Sequence, residues 1–270
     1  MRKLSSEEIK KIELNILLEF KKICDDNNLR FNLSGGTLLG AVRHKGFIPW
    51  DDDIDVCMPR PDYEKLFEIS KDSNGMLNEH LELASCVNGK NDYPYAKIFD
   101  TRTHLNQKYR NDGNSLWIDI MPVDGLPEDF EATKNIYKKV KRYRDLLALC
   151  NANPKEGKTK FKKFFKRFVI PFVKIRGAKY YCNQIEKIAK AIPYGSTQYV
   201  GAITWGLYGP KGEKMRIDEY QEKALVDFEG YKMPTYSCYK NYLTNMYGDY
   251  MQLPPVEKRV THDMEAYIDE

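Results

Sequence analysis

The chain has 270 residues, 42% of them hydrophobic and 30% charged, with a net charge of +4. That length supports one large domain or two small ones, and the balance is that of a folded globular chain, which excludes wholesale disorder. So mild a basic excess gives no reason to expect nucleic acid as a partner, and no apolar run of about 18 residues is present to span a membrane. The six cysteines (Cys24, Cys57, Cys86, Cys150, Cys182 and Cys238) form no C-x-x-C pair and have no histidine at zinc spacing. Free thiols in a reducing cytoplasm are therefore expected. The charged start, with no apolar h-region, does not read as a cleaved signal peptide.

Ser5 and Glu8 form a capping-box pattern, and Ile9, Ile12, Ile16, Leu17, Phe20 and Ile23 then repeat at helical spacing. A short strand is expected from Arg30 to Ser34, a tight turn at Gly35-Gly36, and a short helix from Thr37 to Arg43. Asp53 to Met58 reads as a second strand. A helix follows from Asp62 to Ser70, with Pro61 where a helix start tolerates it. Leu81–Ser85, Tyr95–Phe99 and Leu116–Met121 read as further strands. After Leu126 the composition changes. Phe130–Leu149 is predicted as a Lys-, Arg- and Tyr-rich helix, 151–157 as a polar loop, and 158–192 as helix broken at Pro171. Tyr194–Tyr208 is rich in aromatics and glycine, and Cys238–Tyr247 is the last predicted helix. The pattern is α/β (α+β): a core over 1–126 with a short mixed sheet and flanking helices, a helical basic extension over 127–195, and a C-terminal segment over 196–270.

The strongest chemical signal is the passage from Leu33 to Val56. Gly35 and Gly36 let backbone N–H groups approach a phosphate, the helix after them aims its positive end at the same place, and Thr37 adds a hydroxyl. Asp53 and Asp55, two apart on a strand, point to one face. Asp51 shares their parity; Asp52 does not. Two carboxylates on one face repel unless a cation lies between them, and oxygen-only ligation suits Mg²⁺ or Mn²⁺. Asp119, inside the apolar run Leu116–Met121, needs compensation. It is read as the third ligand, with a buried salt bridge as the alternative. Lys97 follows the inner alternation of its strand and is read as a phosphate contact or as an ion-pair partner of the acidic cluster. Arg43 is a further candidate for the donor phosphates.

Gly35-Gly36-Thr37 followed by Asp53-x-Asp55 resembles the nucleotidyltransferase superfamily that includes DNA polymerase beta. The fuller string is similar to the LicD family of phosphocholine transferases, with fukutin and fukutin-related protein as distant relatives. It comprises Gly36 to His44 and Ile48-Pro-Trp-Asp-Asp-Asp-Ile-Asp55. Tyr95-Ala-Lys97-Ile with Asp100-Thr-Arg102-Thr103, and Tyr247-Gly248-Asp249-Tyr250-Met251 with Leu253-Pro254-Pro255, Arg259 and His262, extend the likeness. The resemblance implies a metal-dependent enzyme in which Asp53, Asp55 and Asp119 hold Mg²⁺. It implies CDP-choline as donor, CMP as released product, and a hydroxyl on a cell-surface glycan or teichoic acid precursor as acceptor. It also gives weight to Arg259 and His262 as substrate contacts. Related CDP donors (phosphoethanolamine, glycerol phosphate or ribitol phosphate), nucleotidyl transfer to a small acceptor, and a binding module without catalysis are the other readings.

A choline head group cannot donate a hydrogen bond, so aromatic faces are expected around it, with Trp205 and Tyr208 as candidates. Over Lys158–Arg176, Phe161, Phe164, Phe165, Phe168, Val169 and Phe172 share one helical face amid lysines. Such a helix packs on the core or lies on an anionic membrane. The second option would suit a lipid-carried acceptor and a cytoplasmic protein held peripherally at the inner face of a membrane.

Overall fold

A computed structural model describes residues 1–106, 114–152, 160–259 and 264–269; the side chains of 160–168 and 258 lie outside the description. The elements run β1 (Arg2–Lys3), α1 (Ser6–Asp26), β2 (Asn32–Leu33), α2 (Gly35–His44), β3 (Asp55–Pro59), α3 (Arg60–Ile69) and β4 (Leu81–Ala84). Next come β5 (Ala96–Asp100), β6 (Thr103–Leu105), β7 (Trp117–Leu126), α4 (Phe130–Cys150) and α5 (Lys160–Ala189). The chain then forms β8 (Tyr199–Ala202), α6 (Gly209–Glu213), β9 (Met215–Arg216), α7 (Ile217–Gln221), β10 (Lys223–Phe228), β11 (Tyr231–Tyr236), α8 (Tyr239–Tyr247) and β12 (Ala266–Ile268). The class is α+β, as the sequence pattern predicts.

The capping box closes at the start of α1: Glu8 N–H donates to Ser5 Oγ at 3.2 Å and Ser5 N–H to Glu8 Oε2 at 2.8 Å. The helix lays Ile9, Ile16, Leu17, Phe20 and Cys24 onto the sheet. That sheet has the order β2-β3-β7-β5-β4. β3 and β7 run parallel, and the other pairs are antiparallel. β7 is ten residues long and serves three partners, pairing with β3 along its middle, with β5 over its first half and with β8 over its second half. The segment after 196 thus contributes a strand to the main sheet. β1 and β12, from opposite ends of the chain, form a small sheet with β6.

α4 and α5 pack together over a second core that includes Leu126, Tyr137, Leu147, Tyr181 and Ile185. The break in α5 falls at Gly177 (φ 73°, ψ 159°), not at Pro171, which lies inside the helix. The turn around Pro171 is held by buried Ile170 and Val173. The Tyr181 hydroxyl donates to the Val173 carbonyl at 3.0 Å, across the kink. These buried residues pack this half of the basic segment on the core, while Phe172 and Ile175 face outward. The side chains of Phe161, Phe164, Phe165 and Phe168 lie outside the described residues. No helix among the described residues is long and apolar enough to cross a membrane, and all six cysteines are buried free thiols.

One buried ion cluster fastens this layer to the sheet. Arg60 donates to both oxygens of Asp124 on β7 (2.6 and 2.8 Å) and to Glu186 on α5 (3.0 Å). Arg60 and Asp124 are 5% and 1% exposed. Replacing Arg60 with Met would leave two buried carboxylates without their cation. Urea unfolding should show a loss of about 3–5 kcal/mol, and an unchanged midpoint would refute the role.

Candidate active site

Strand register builds the centre of the site. β3 pairs with β7 so that Asp55 lies beside Asp119, and β7 pairs with β5 so that Asp119 lies beside Lys97. Three neighbouring strands therefore present Asp55, Asp119 and Lys97 in a row on one face. Lys97 Nζ donates to Asp119 Oδ1 at 2.6 Å, and the two residues are 3% and 8% exposed. Asp119 is thus salt-bridged, the alternative that the sequence left open, and it stands beside Asp55 facing the same cavity.

The strand begins at Asp55, so Asp51 and Asp53 come from the preceding loop and not from the ladder. Their walls are the same nevertheless. Asp51, Asp53, Asp55, Lys97 and Asp119 all line a cavity of about 1150 Å³, while Asp52 is not in the lining. The loop is pinned from two sides. Lys10 of α1 donates to the Ile48 and Pro49 carbonyls (3.3 and 3.2 Å), and Glu229 at the β10–β11 turn accepts from Phe47 N–H at 2.9 Å.

The glycine turn lies against these carboxylates. Gly35 has φ +53°, and a Cβ on it would come within 2.9 Å of Asp55 Oδ2; a Cβ on Gly36 would come as near to Asp51 Oδ2. Gly35 and Gly36 line the cavity and open α2, whose positive end faces the acidic wall. Thr37 does not line it. Its hydroxyl accepts from Asp55 N–H at 2.8 Å, so it sets the start of β3.

Like charges crowd this wall. Burial first, then Asp53, Asp119 and Asp51, push the Asp55 carboxyl well above the usual range, with Lys97 opposing. Burial also raises Asp119, against the Lys97 charge and hydrogen bond. Glu13 of α1, 1% exposed, is raised by its burial and then by Asp53, Asp52, Asp119 and Asp51. Among the described residues no three His, Cys, Asp or Glu side chains converge closely enough to hold a metal by themselves. An array of hard oxygen donors fits Mg²⁺ or Mn²⁺, ions that commonly take one or two protein carboxylates and fill the rest of the shell with substrate phosphate and water.

Aromatic rings line the same cavity. Trp205 meets Tyr95 and Tyr93 at centroid distances of 5.3 and 5.9 Å, and Tyr208 meets Tyr247 at 5.0 Å. Lys97 Nζ lies 5.1 and 5.5 Å from the Tyr93 and Tyr95 ring centres, and Arg144 covers Trp205 at 5.2 Å. Glu213, 5% exposed, also lines the cavity. Burial pushes its carboxyl up to about 8, with a backbone hydrogen bond at Tyr208 and the Arg144 charge working the other way.

Other sequence candidates take different places. Arg43 lines the cavity but donates to the Tyr250 and Gln252 carbonyls (2.8 and 3.4 Å), which ties the C-terminal segment over α2. Arg259 stacks on Trp50 at 4.4 Å and donates to the Pro254 carbonyl at 3.1 Å. His262 lies outside the described residues. Tyr93, Tyr95 and Glu213 were not singled out by sequence. The Tyr-Pro-Tyr run just before a strand was the available signal for the first two; nothing local marks Glu213 as buried.

Removing Asp55 and removing Asp119 should differ in sign. Without metal, Asp55→Asn relieves like-charge repulsion and should keep or raise Tm. Asp119→Asn leaves Lys97 buried and unpaired, and should cost about 3 kcal/mol. Both should lower activity more than about a hundredfold. Equal Tm effects in calorimetry would contradict this layout.

Comparison with known proteins agrees with the geometry. The family described as LicD/FKTN/FKRP, nucleotidyltransferase domain, matches residues 28–148. The lipopolysaccharide cholinephosphotransferase LicD of Haemophilus influenzae is 32% identical over 274 residues, covering 99% of this chain and 100% of its own length. An uncharacterised protein of Rickettsia prowazekii is 28% identical over 150 residues, covering 52% of this chain and 53% of its own. The likeness to the Haemophilus protein runs from end to end and takes in the glycine turn, the acidic wall and the C-terminal rim alike: the chain belongs to the LicD family.

Proposed function

We propose that this phosphotransferase of the LicD type moves phosphocholine from CDP-choline to a hydroxyl of a glycan borne on a lipid, as in lipopolysaccharide or a teichoic acid precursor, and releases CMP. The observation that carries the reading is one cavity lined by acidic residues at a glycine turn, by aromatic rings and by a buried carboxyl. The first suits a diphosphate with its counter-ion, the second a cationic head group. The full-length likeness to a lipopolysaccharide cholinephosphotransferase supports the same choice.

In the proposed reaction the acceptor oxygen forms a bond to the choline-bearing phosphorus. The bond from that phosphorus to the oxygen bridging it to CMP breaks, and CMP leaves with the electron pair. The acceptor's proton passes to a carboxylate of the wall. Asp53, Asp55 and Asp119, with Asp51 alongside, are the carboxylates from which a bound Mg²⁺ would take one or two ligands, the donor's phosphates and water supplying the rest, and the ion would neutralise the diphosphate and its developing charge. The protein's own share is positioning and electrostatics, which carry most of the rate in phosphoryl transfer. Gly35 and Gly36 let the donor come close to the backbone, and the Lys97 ion pair opposes the rise that burial gives the Asp119 carboxyl and holds it at the cavity wall. Tyr93, Tyr95 and Trp205 offer faces to the trimethylammonium group, and Glu213 supplies the opposite charge.

Release of CMP from CDP-choline, CDP-ethanolamine and CDP-glycerol with Mg²⁺ should be fastest for CDP-choline and absent in the Asp53→Asn/Asp55→Asn variant. Preference for another donor would overturn the choline assignment while leaving the acidic wall its role.

Glu213 gives a second test. A cationic head group binds best to the ionised carboxylate, and a carboxyl raised to about 8 is protonated below that pH. Apparent affinity for CDP-choline should therefore rise with pH up to about 8 and level off above it. Glu213→Gln should flatten that profile and raise KM about tenfold with little change in kcat. A flat wild-type profile between about pH 6.5 and 9 would remove Glu213 from head-group recognition.

A further inference from the structure

We propose that the α4–α5 layer is a docking surface for an anionic lipid bilayer, which it meets with its unpaired cations and with Phe172 and Ile175. The binding stands apart from the chemistry proposed above. Its use, keeping the enzyme where a lipid-borne acceptor is presented, rests on that reading.

Charge is shared unevenly along the chain. Residues 130–189, which hold α4, α5 and the segment between them, contain 17 Lys and Arg against four Asp and Glu. That is a net +13 within a chain of +4, so the remainder carries −9. The attraction of the protein for a negatively charged surface is therefore concentrated in this one layer.

The structure leaves most of these cations facing water. Lys134, Lys141 and Lys190 pair with Glu131, Asp145 and Glu64. Lys138, Lys139 and Arg142 on α4, and Lys174, Arg176, Lys179 and Lys187 on α5, are exposed, and no carboxylate among the described residues pairs with them. The acids of the layer are already engaged: Glu131 and Asp145 hold lysines, and Glu186 accepts from Arg60. Asp92, whose carbonyl accepts from Cys182 Sγ at 3.2 Å, is an exposed acid packed against α5, one carboxylate beside seven cations.

Charge alone would suit any polyanion; the apolar side chains select the bilayer. Phe172 and Ile175 are 74% and 79% exposed and stand among the exposed Lys174 and Arg176. Their outward aim is fixed from behind. Ile170 and Val173 of the same turns are buried, and the Tyr181 hydroxyl holds the Val173 carbonyl across the kink. In the sequence, Phe161, Phe164, Phe165 and Phe168 keep the helical spacing of Phe172. Phenylalanines along one side of a lysine-rich helix are the composition of an interfacial helix, whose rings enter the headgroup boundary while its cations meet lipid phosphates. A polyanion without an apolar phase gives Phe172 and Ile175 nothing to enter.

Vesicle flotation tests this with no donor or acceptor present, so its failure is distinct from a failure of the proposed chemistry. Wild type should float with phosphatidylethanolamine/phosphatidylglycerol vesicles and stay behind with phosphatidylcholine vesicles. Raising salt from about 0.1 to about 0.5 M should weaken binding about tenfold or more. Lys174→Gln/Lys179→Gln should lower the partition coefficient at least about tenfold, and so should Phe172→Ala/Ile175→Ala, both at unchanged Tm. Lys11→Gln/Lys71→Gln removes the same charge from exposed positions outside the layer and should float as wild type does. The proposal fails if wild type stays in the soluble fraction, floats equally with both kinds of vesicle, or loses as much through Lys11 and Lys71 as through α5. It fails too if the Phe172/Ile175 variant floats undiminished, which would make the layer a site for polyanions alone. Loss of a concentration-dependent dimer in the α5 variants, with no vesicle capture by wild type, would overturn it in favour of an interface between copies.

Discussion

The constraint on which the rest depends is the alignment of Asp55, Asp119 and Lys97 on adjacent strands. A parallel pairing of β3 with β7 and an antiparallel pairing of β7 with β5 bring two carboxylates and one ammonium group to a single face, with Asp119 and Lys97 buried. A one-residue slip in either register would turn the row away from the cavity. Asp51, Asp53, Asp55 and Asp119 crowd like charge onto one wall, and burial raises the cost of that crowding. In the proposed reaction a cation, and through it the donor's diphosphate, would offset that cost.

Much of the molecule holds that wall in place. The Arg60 cluster anchors the second half of β7 to α3 and α5, while Lys10 and Glu229 fix the loop that delivers Asp51 and Asp53. Gly35 and Gly36 let α2 begin where the carboxylates already are. Arg43 and Arg259, cations that might seem available to phosphate, instead bond the backbone of the C-terminal segment and shape the rim. Long-range bonds of this kind explain how the cavity draws residues from 34 to 259 onto one surface.

The sequence was legible where chemistry is local. The glycine turn, the acidic strand and the capped first helix each follow from short-range spacing, and the structure has them within a few residues. Asp119 was legible as a charge in an apolar strand, and its partner Lys97 from alternation. Glu13 could have been found the same way: it lies four residues after Ile9 and three before Ile16, on the buried stripe of α1. Glu213 could not, because its burial comes from α6 folding over the cavity and no neighbouring pattern marks it. The break in α5 shows the limit of single-residue rules. Proline fits a helix whose neighbours pack well, and the chain turned instead at Gly177, where positive φ is tolerated.

The most direct test of the acidic wall is Mn²⁺ binding followed by electron paramagnetic resonance, without nucleotide and then with CMP. Wild type should bind one ion, more tightly with nucleotide present, and the Asp53→Asn/Asp55→Asn variant should leave the free-ion signal undiminished. An identical titration in both proteins would contradict the wall as the metal site and, with it, the account of how this enzyme handles its donor.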